Sequence, residues 1–116
     1  IFWSDLSSVE KLFPEAYRKI SERVAEKKIY TREIIADTFD SRQSSKRWAV
    51  GAGEYYNARL ATGPIFNDTV LYNNVVCFFR LQAHNLFVVR IEDPTIAVSI
   101  KTMFDMAWRS AKPFIS

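Results

Sequence analysis

Two adjacent carboxylates, Glu92 and Asp93, stand in the stretch VVRIEDPTIA, where an apolar run meets a proline and then resumes. Paired acids can work as general acid and base, but only with further groups converging on the same substrate. Neither a second acidic site nor a metal-binding histidine accompanies them nearby. Asp, then Pro, then helical periodicity has instead the form of a helix start. The Asp93 carboxylate can accept from a free N–H of the first turn, and Pro94 fits the first helical position, where its missing N–H costs nothing. Glu92 then closes a strand.

Few other residues offer chemistry. His84 is the single histidine, and the H-E-x-x-H and G-x-S-x-G patterns are absent. GAG at 51–53 lacks the strand-to-helix context and the lysine of a phosphate loop. Cys77, the lone cysteine, excludes an internal disulfide and a cysteine-cluster metal site, and inside VVCFF it reads as a buried small hydrophobe. The remaining candidates are cations. Arg42, Lys46 and Arg47 cluster on a helix face that is either solvated or suited to phosphates or an acidic partner. Arg32 and Arg59 lie in strand-like segments beside apolar residues, where an arginine must find a partner or reach a cleft. Two readings stay open for them: a salt bridge with Glu33, Glu54 or Glu92, or ligand binding. The candidate ligand-binding set is therefore Arg32, Arg59 and His84, the last also readable as a solvated turn residue. No catalytic residue, no metal ligand and no cofactor is expected.

The elements that must position these residues follow from periodicity. IFWSD (1–5) reads as a strand and turn. Val9, Leu12, Phe13, Ala16, Ile20 and Val24 fall on one helical face, which Pro14 interrupts, so a short first turn should precede a main helix. KIYTREIIA (28–36) reads as a second strand, buried on both faces at Ile34 and Ile35. Asp40 or Ser41 is placed to cap a helix through RQSSKRWAVGAGEYY, with Trp48, Ala52, Tyr55 and Tyr56 inward and Gly51 and Gly53 weakening it. NARLATGP (57–64) reads as an edge strand. A three-stranded meander follows over 68–92, turning at Asn73–Asn74 and again at QAHN (82–85). The last helix carries Ile96, Ala97, Ile100, Met103, Phe104, Ala107, Trp108 and Ala111 on one stripe and stops at Pro113. Trp3, Trp48 and Trp108 each sit on an apolar face and read as core. The expected fold is α/β: one domain over 1–116, a mixed, mainly antiparallel sheet of five to six strands with flanking helices, in the order β-α-β-α-β-β-β-β-α.

Composition agrees with one globular domain. The chain has 116 residues, 48% of them hydrophobic, which suffices for a real core and excludes disorder. Sixteen basic residues against thirteen acidic ones are interleaved, without the concentrated stripe of a nucleic-acid binder. No apolar run approaches the roughly 20 residues of a membrane helix, and no signal peptide is present. A reducing cytoplasm is the expected setting. The chain begins IFW, without an initiator Met and already strand-like, and so reads as a fragment of a longer protein.

Three longer stretches carry a resemblance. SERVAEKKIYTREI, ARLATGPIFNDTVLYNNVVCFF and FVVRIEDPTIAVSIKTMFDMAWRSAK together resemble the C-terminal effector domain of TrmB-like prokaryotic transcriptional regulators, a relative of half a phospholipase D fold. The shared tokens are Arg23, Ile29, Arg59, the hairpin Tyr72 to Val76, the IED strand end, and Phe104 with Trp108. Where such domains carry an Arg–Glu pair before the strand holding Arg59, this chain has Tyr56 and Asn57. The resemblance implies a non-catalytic sensor or dimerisation domain, a sugar or phosphorylated metabolite as effector, a homodimer, and DNA contact only through a missing N-terminal domain. Phospholipase D chemistry needs a His, a Lys two positions on and an Asp five beyond. Counted from His84, those places hold Leu86 and Ile91, so the fold relation does not bring the activity.

Overall fold

Pro14 divides the first helical segment into two. In the computed structural model, which describes residues 2–4, 6–65, 67–82 and 85–114, strand β1 (Phe2–Ser4) is followed by α1 (Leu6–Leu12) and α2 (Pro14–Glu26). Phe13 between the helices has a non-helical backbone, and Pro14 stands at the first position of α2. This break resets the helical phase. The buried positions of α2 are Tyr17, Ser21 and Val24, while Ile20 is 53% exposed and Ala16 also faces out. The single stripe expected from Val9 to Val24 therefore does not exist, because spacing counted across a proline break does not describe one helix.

At the other end of α2, Lys28 takes the left-handed conformation (φ 56°), and the Ile29 N–H reaches back to the Val24 carbonyl at 2.9 Å. Such a reversal normally falls to glycine. It delays the second strand, so β2 spans Thr31–Ile35, and Ile29 and Tyr30 are exposed loop rather than strand. Ile34 and Ile35 are both buried, on opposite faces.

Helix α3 (Phe39–Ala52) is capped by Thr38, whose Oγ1 accepts from the Ser41 N–H at 3.1 Å, not by Asp40 or Ser41. Its buried face is Ser41, Ser44, Ser45, Trp48 and Ala52. Gly53, with φ 60°, ends it, so Tyr55 falls in a 3-10 turn and Tyr56 opens β3 (Tyr56–Leu60). Gly51 lies where α3 crosses α2. A Cβ there would stand 2.3 Å from Ser21 Oγ and 3.1 Å from the Glu22 backbone nitrogen.

The meander is β4 (Asp68–Tyr72), β5 (Val75–Gln82) and β6 (Asn85–Glu92), with Asn73 at φ 49° making the first turn. Helix α4 (Pro94–Ser110) then starts on Asp93, whose Oδ2 accepts from the Ile96 N–H at 2.8 Å. Its stripe is narrower than the spacing predicts. Ala97, Phe104 and Trp108 are buried, whereas Ile96, Met103 and Ala107 lie on an open flank.

A short final strand, β7 (Lys112–Pro113), pairs with β3 through Arg59↔Pro113 and Leu60↔Lys112. The segment read as an edge is thereby covered. Among the described residues, seven strands form one sheet in the order β6-β5-β4-β1-β2-β3-β7, more than the five to six expected, and the element order gains the split helix and β7. Strands β1, β2 and β3 are parallel, and the four remaining pairings are antiparallel. The α/β character and the mixed sheet are as expected. Ile35 and Leu60 pack with α2 and α3 on one face, while Ile34 and Leu71 meet α4 on the other. The side chain of Trp3 lies outside the described residues; Trp48 and Trp108 are core. Among the described residues, no helix is long and apolar enough to cross a membrane.

Candidate functional site

In-register pairing of β2 with β3 sets Arg59 opposite Ile34 and Arg32 opposite Asn57. Alternation along a strand then puts both arginines on the face that α4 crosses. Arg59 donates from Nη1 to the Trp108 carbonyl at 2.7 Å, and its guanidinium lies 4.4 Å from the centroid of the Trp108 ring. That carbonyl is one of the four that a helix end leaves without an internal partner. Arg32 donates from Nη2 to Asp105 Oδ1 at 2.8 Å and stands over Phe104 at 5.0 Å. Lys101 holds the other oxygen of Asp105 at 2.8 Å. Hydrogen bonds from Lys101 and then Arg32 hold the Asp105 carboxyl below the usual carboxylate range. Phe104 and Trp108 stack at 5.8 Å beneath the two cations.

Two of the three candidate residues are thus brought together, and both are engaged by α4. The third, His84, lies outside the described residues. The salt bridges foreseen with Glu33, Glu54 or Glu92 are replaced by Asp105, a partner 73 residues from Arg32 that no local pattern signals. Glu92 pairs with Arg90 at 3.3 Å instead. In the basic cluster, Arg42 pairs with Asp37 at 2.8 Å and Arg47 with Glu10, so two of its three cations are committed to carboxylates. Cys77 is buried in β5.

On the opposite face lies a polar network that the sequence reading did not anticipate. Glu33, buried in β2, accepts from the Tyr56 hydroxyl at 3.1 Å, and that hydroxyl also meets Ser45 Oγ at 2.7 Å. Tyr17 donates to the Ser44 carbonyl at 2.5 Å, while Ser44 Oγ donates to Glu10 Oε1 at 2.9 Å. Burial, reinforced by the Glu33 carboxylate, pushes both tyrosine hydroxyls far above their ordinary pKa. Glu10 is held below its ordinary value by its hydrogen bond from Arg47. The signal was available in the serines at 41, 44 and 45, spaced as one helical face. A satisfied buried network fixes how α2 and α3 seat on the sheet, and it exposes no reactive group.

The carboxyl ends of β2 and β3 open onto two clefts divided by the 61–65 loop. One, about 320 Å³, runs along α4 and is floored by Ile34 and Phe104. The other, about 450 Å³, is lined by Asp37, Thr38 and Lys112 among others. Among the described residues, no group of carboxylate, histidine or cysteine side chains could hold a metal ion.

No protein family matches this sequence, and no curated protein does. The three-dimensional structure does find a match, to the structure of TrmBL2, an archaeal chromatin protein showing a novel mode of DNA binding. The TM-score is 0.67 over 97% of this chain, at 13% identity. The fold is similar to that of one part of TrmBL2. The correspondence takes in 44% of TrmBL2, so this chain spans less than half of that protein's length. It supports the TrmB-like resemblance at the level of the fold. At this identity the likeness lies in the arrangement of elements, and the side chains of the arginine clamp and the polar network are read from this chain alone.

Proposed function

We propose that this chain is a non-catalytic assembly domain of a TrmB-like regulator, joining two copies so that DNA-binding parts act as a pair. TrmBL2, whose fold it shares, is a chromatin protein that binds DNA. The observation that carries the assembly role is strand β6. It is eight residues long, lies at the sheet edge, and leaves Leu86, Phe87 and Val88 60%, 52% and 56% exposed. Isolated proteins blunt such edges with charge, proline or brevity. Antiparallel pairing of β6 with its copy about a two-fold axis would satisfy the open backbone edge and set the apolar side chains of the two copies beside one another. Sensing of a sugar or phosphorylated metabolite through Arg32 and Arg59 has less support, since both guanidinium groups already hold α4.

Sedimentation of the chain tests this reading. A dimer is expected, and Val88→Lys, which puts a charge on the edge, is expected to give a folded monomer. A wild-type chain that stays monomeric at high concentration refutes it.

A further inference from the structure

The cleft beside α4 is open because the residues around it are small. Ala61, Gly63, Ala107 and Ala111 stand where larger apolar side chains would close the space between the 61–65 loop and the helix. Ile34 and Phe104 lie at its base, Ile65 forms a wall, and Met103, itself 59% exposed, stands at the lip. A thioether chain there can follow the outline of what enters. None of the lining side chains titrates. Ser110 Oγ spends its proton on the Ala107 carbonyl at 3.1 Å, which leaves the Thr62 hydroxyl and loop backbone as polar contacts. At about 320 Å³ the cleft is at the small end of ligand sites, though well above the roughly 150 Å³ that accommodates a benzene ring.

We infer that this cleft binds a small, uncharged, apolar molecule of one or two rings, or a branched hydrocarbon of similar bulk. Charge complementarity selects that class. An anion or a sugar would meet no cation and few donors here, whereas across the loop the second cleft presents Asp37, Thr38 and Lys112. Phe104 floors the site and stacks on Trp108, which carries Arg59 on its face. An occupant therefore lies over the helix whose buried face carries the clamp.

The test uses 5-fluoroindole, followed by fluorine NMR on the 116-residue chain. Saturable binding of one equivalent is expected, with no comparable response to glucose or glucose 6-phosphate. Ala107→Phe fills the cleft and should weaken binding at least tenfold, and Ser110→Leu serves the same purpose if the first variant does not fold. Val98→Ala, on an exposed position of α4 that does not line the cleft, should leave binding within a few-fold. Unsaturable binding, or binding that neither filling variant weakens, overturns the inference. Tighter binding of indole-3-acetate than of indole overturns the uncharged class. Loss of dimer on filling the cleft, without saturable fluoroindole binding to the wild type, would mean that a side chain of a second copy occupies it. These outcomes are separate from sedimentation of Val88→Lys, so either proposal can fail alone.

Discussion

Gly51→Ala puts a methyl group where two helices touch. The new Cβ would meet Ser21 Oγ at 2.3 Å, Ser21 Cβ at 3.0 Å and the Glu22 nitrogen at 3.1 Å. The hydroxyl cannot simply swing aside, because Ser21 is buried and donates to the Arg18 carbonyl at 2.7 Å. Even with that bond broken, the Cβ and backbone contacts remain, and α2 and α3 must separate. Overpacking of this kind costs about 1–3 kcal/mol. Against it, alanine is better than glycine in a helix by about 1 kcal/mol. The expected net loss is therefore about 0–2 kcal/mol, and with a urea slope of about 1–3 kcal/mol per molar the unfolding midpoint should fall by up to roughly 1 M. Ser21→Gly removes both side-chain contacts, so combined with Gly51→Ala it should recover most of the loss, as a double-mutant coupling of about 1–2 kcal/mol. A Gly51→Ala variant more stable than wild type, or one whose loss Ser21→Gly leaves untouched, would refute the close-approach argument.

Glu10 is held below its ordinary value of 4.5 by Arg47, so its contribution is complete above that pH and is lost as the pH falls through the depressed folded value. Urea midpoints measured downward from neutral pH should show the wild type losing more stability than Glu10→Gln, which starts lower and falls less. Arg59→Ala should cost about 2–3 kcal/mol in urea unfolding, from one charged hydrogen bond and one cation–π contact, with Arg59→Lys intermediate. Unchanged stability in Arg59→Ala would instead favour the ligand-binding reading of that residue.

Elements with a strong local signal were legible in the sequence. Asp93–Pro94 announced α4, Asn73–Asn74 announced the hairpin, and the paired isoleucines announced a strand buried on both faces. The errors share one cause, which is that periodicity is local and the outcome was decided at a distance. The face of α2 was misjudged because Pro14 rotates the helix, and Lys28 concealed a reversal normally given to glycine. The stripe of α4 looked wider than it is, because Ile96, Met103 and Ala107 lie on an exposed flank beside the buried Ala97, Phe104 and Trp108. Of the site, the strand placement of Arg32 and Arg59 beside apolar residues was legible, and with it each one's need of a partner. Asp105 and the Trp108 carbonyl could not be foreseen, being supplied by an element distant in sequence.

Strand β1 precedes every other element yet sits in the middle of the sheet, between β2 and β4, with Trp3 paired to Thr69. During synthesis this strand must wait. Its first flank is covered when residues 31–35 emerge and its second only with residues 68–72, while β3 keeps an open side until Lys112 has been added. A nascent chain thus carries unpaired strand edges while residues 2–113 are being made, which is the condition that invites pairing between neighbouring nascent chains. Chaperone demand and sensitivity to truncation should accordingly be highest for intermediates ending before β7.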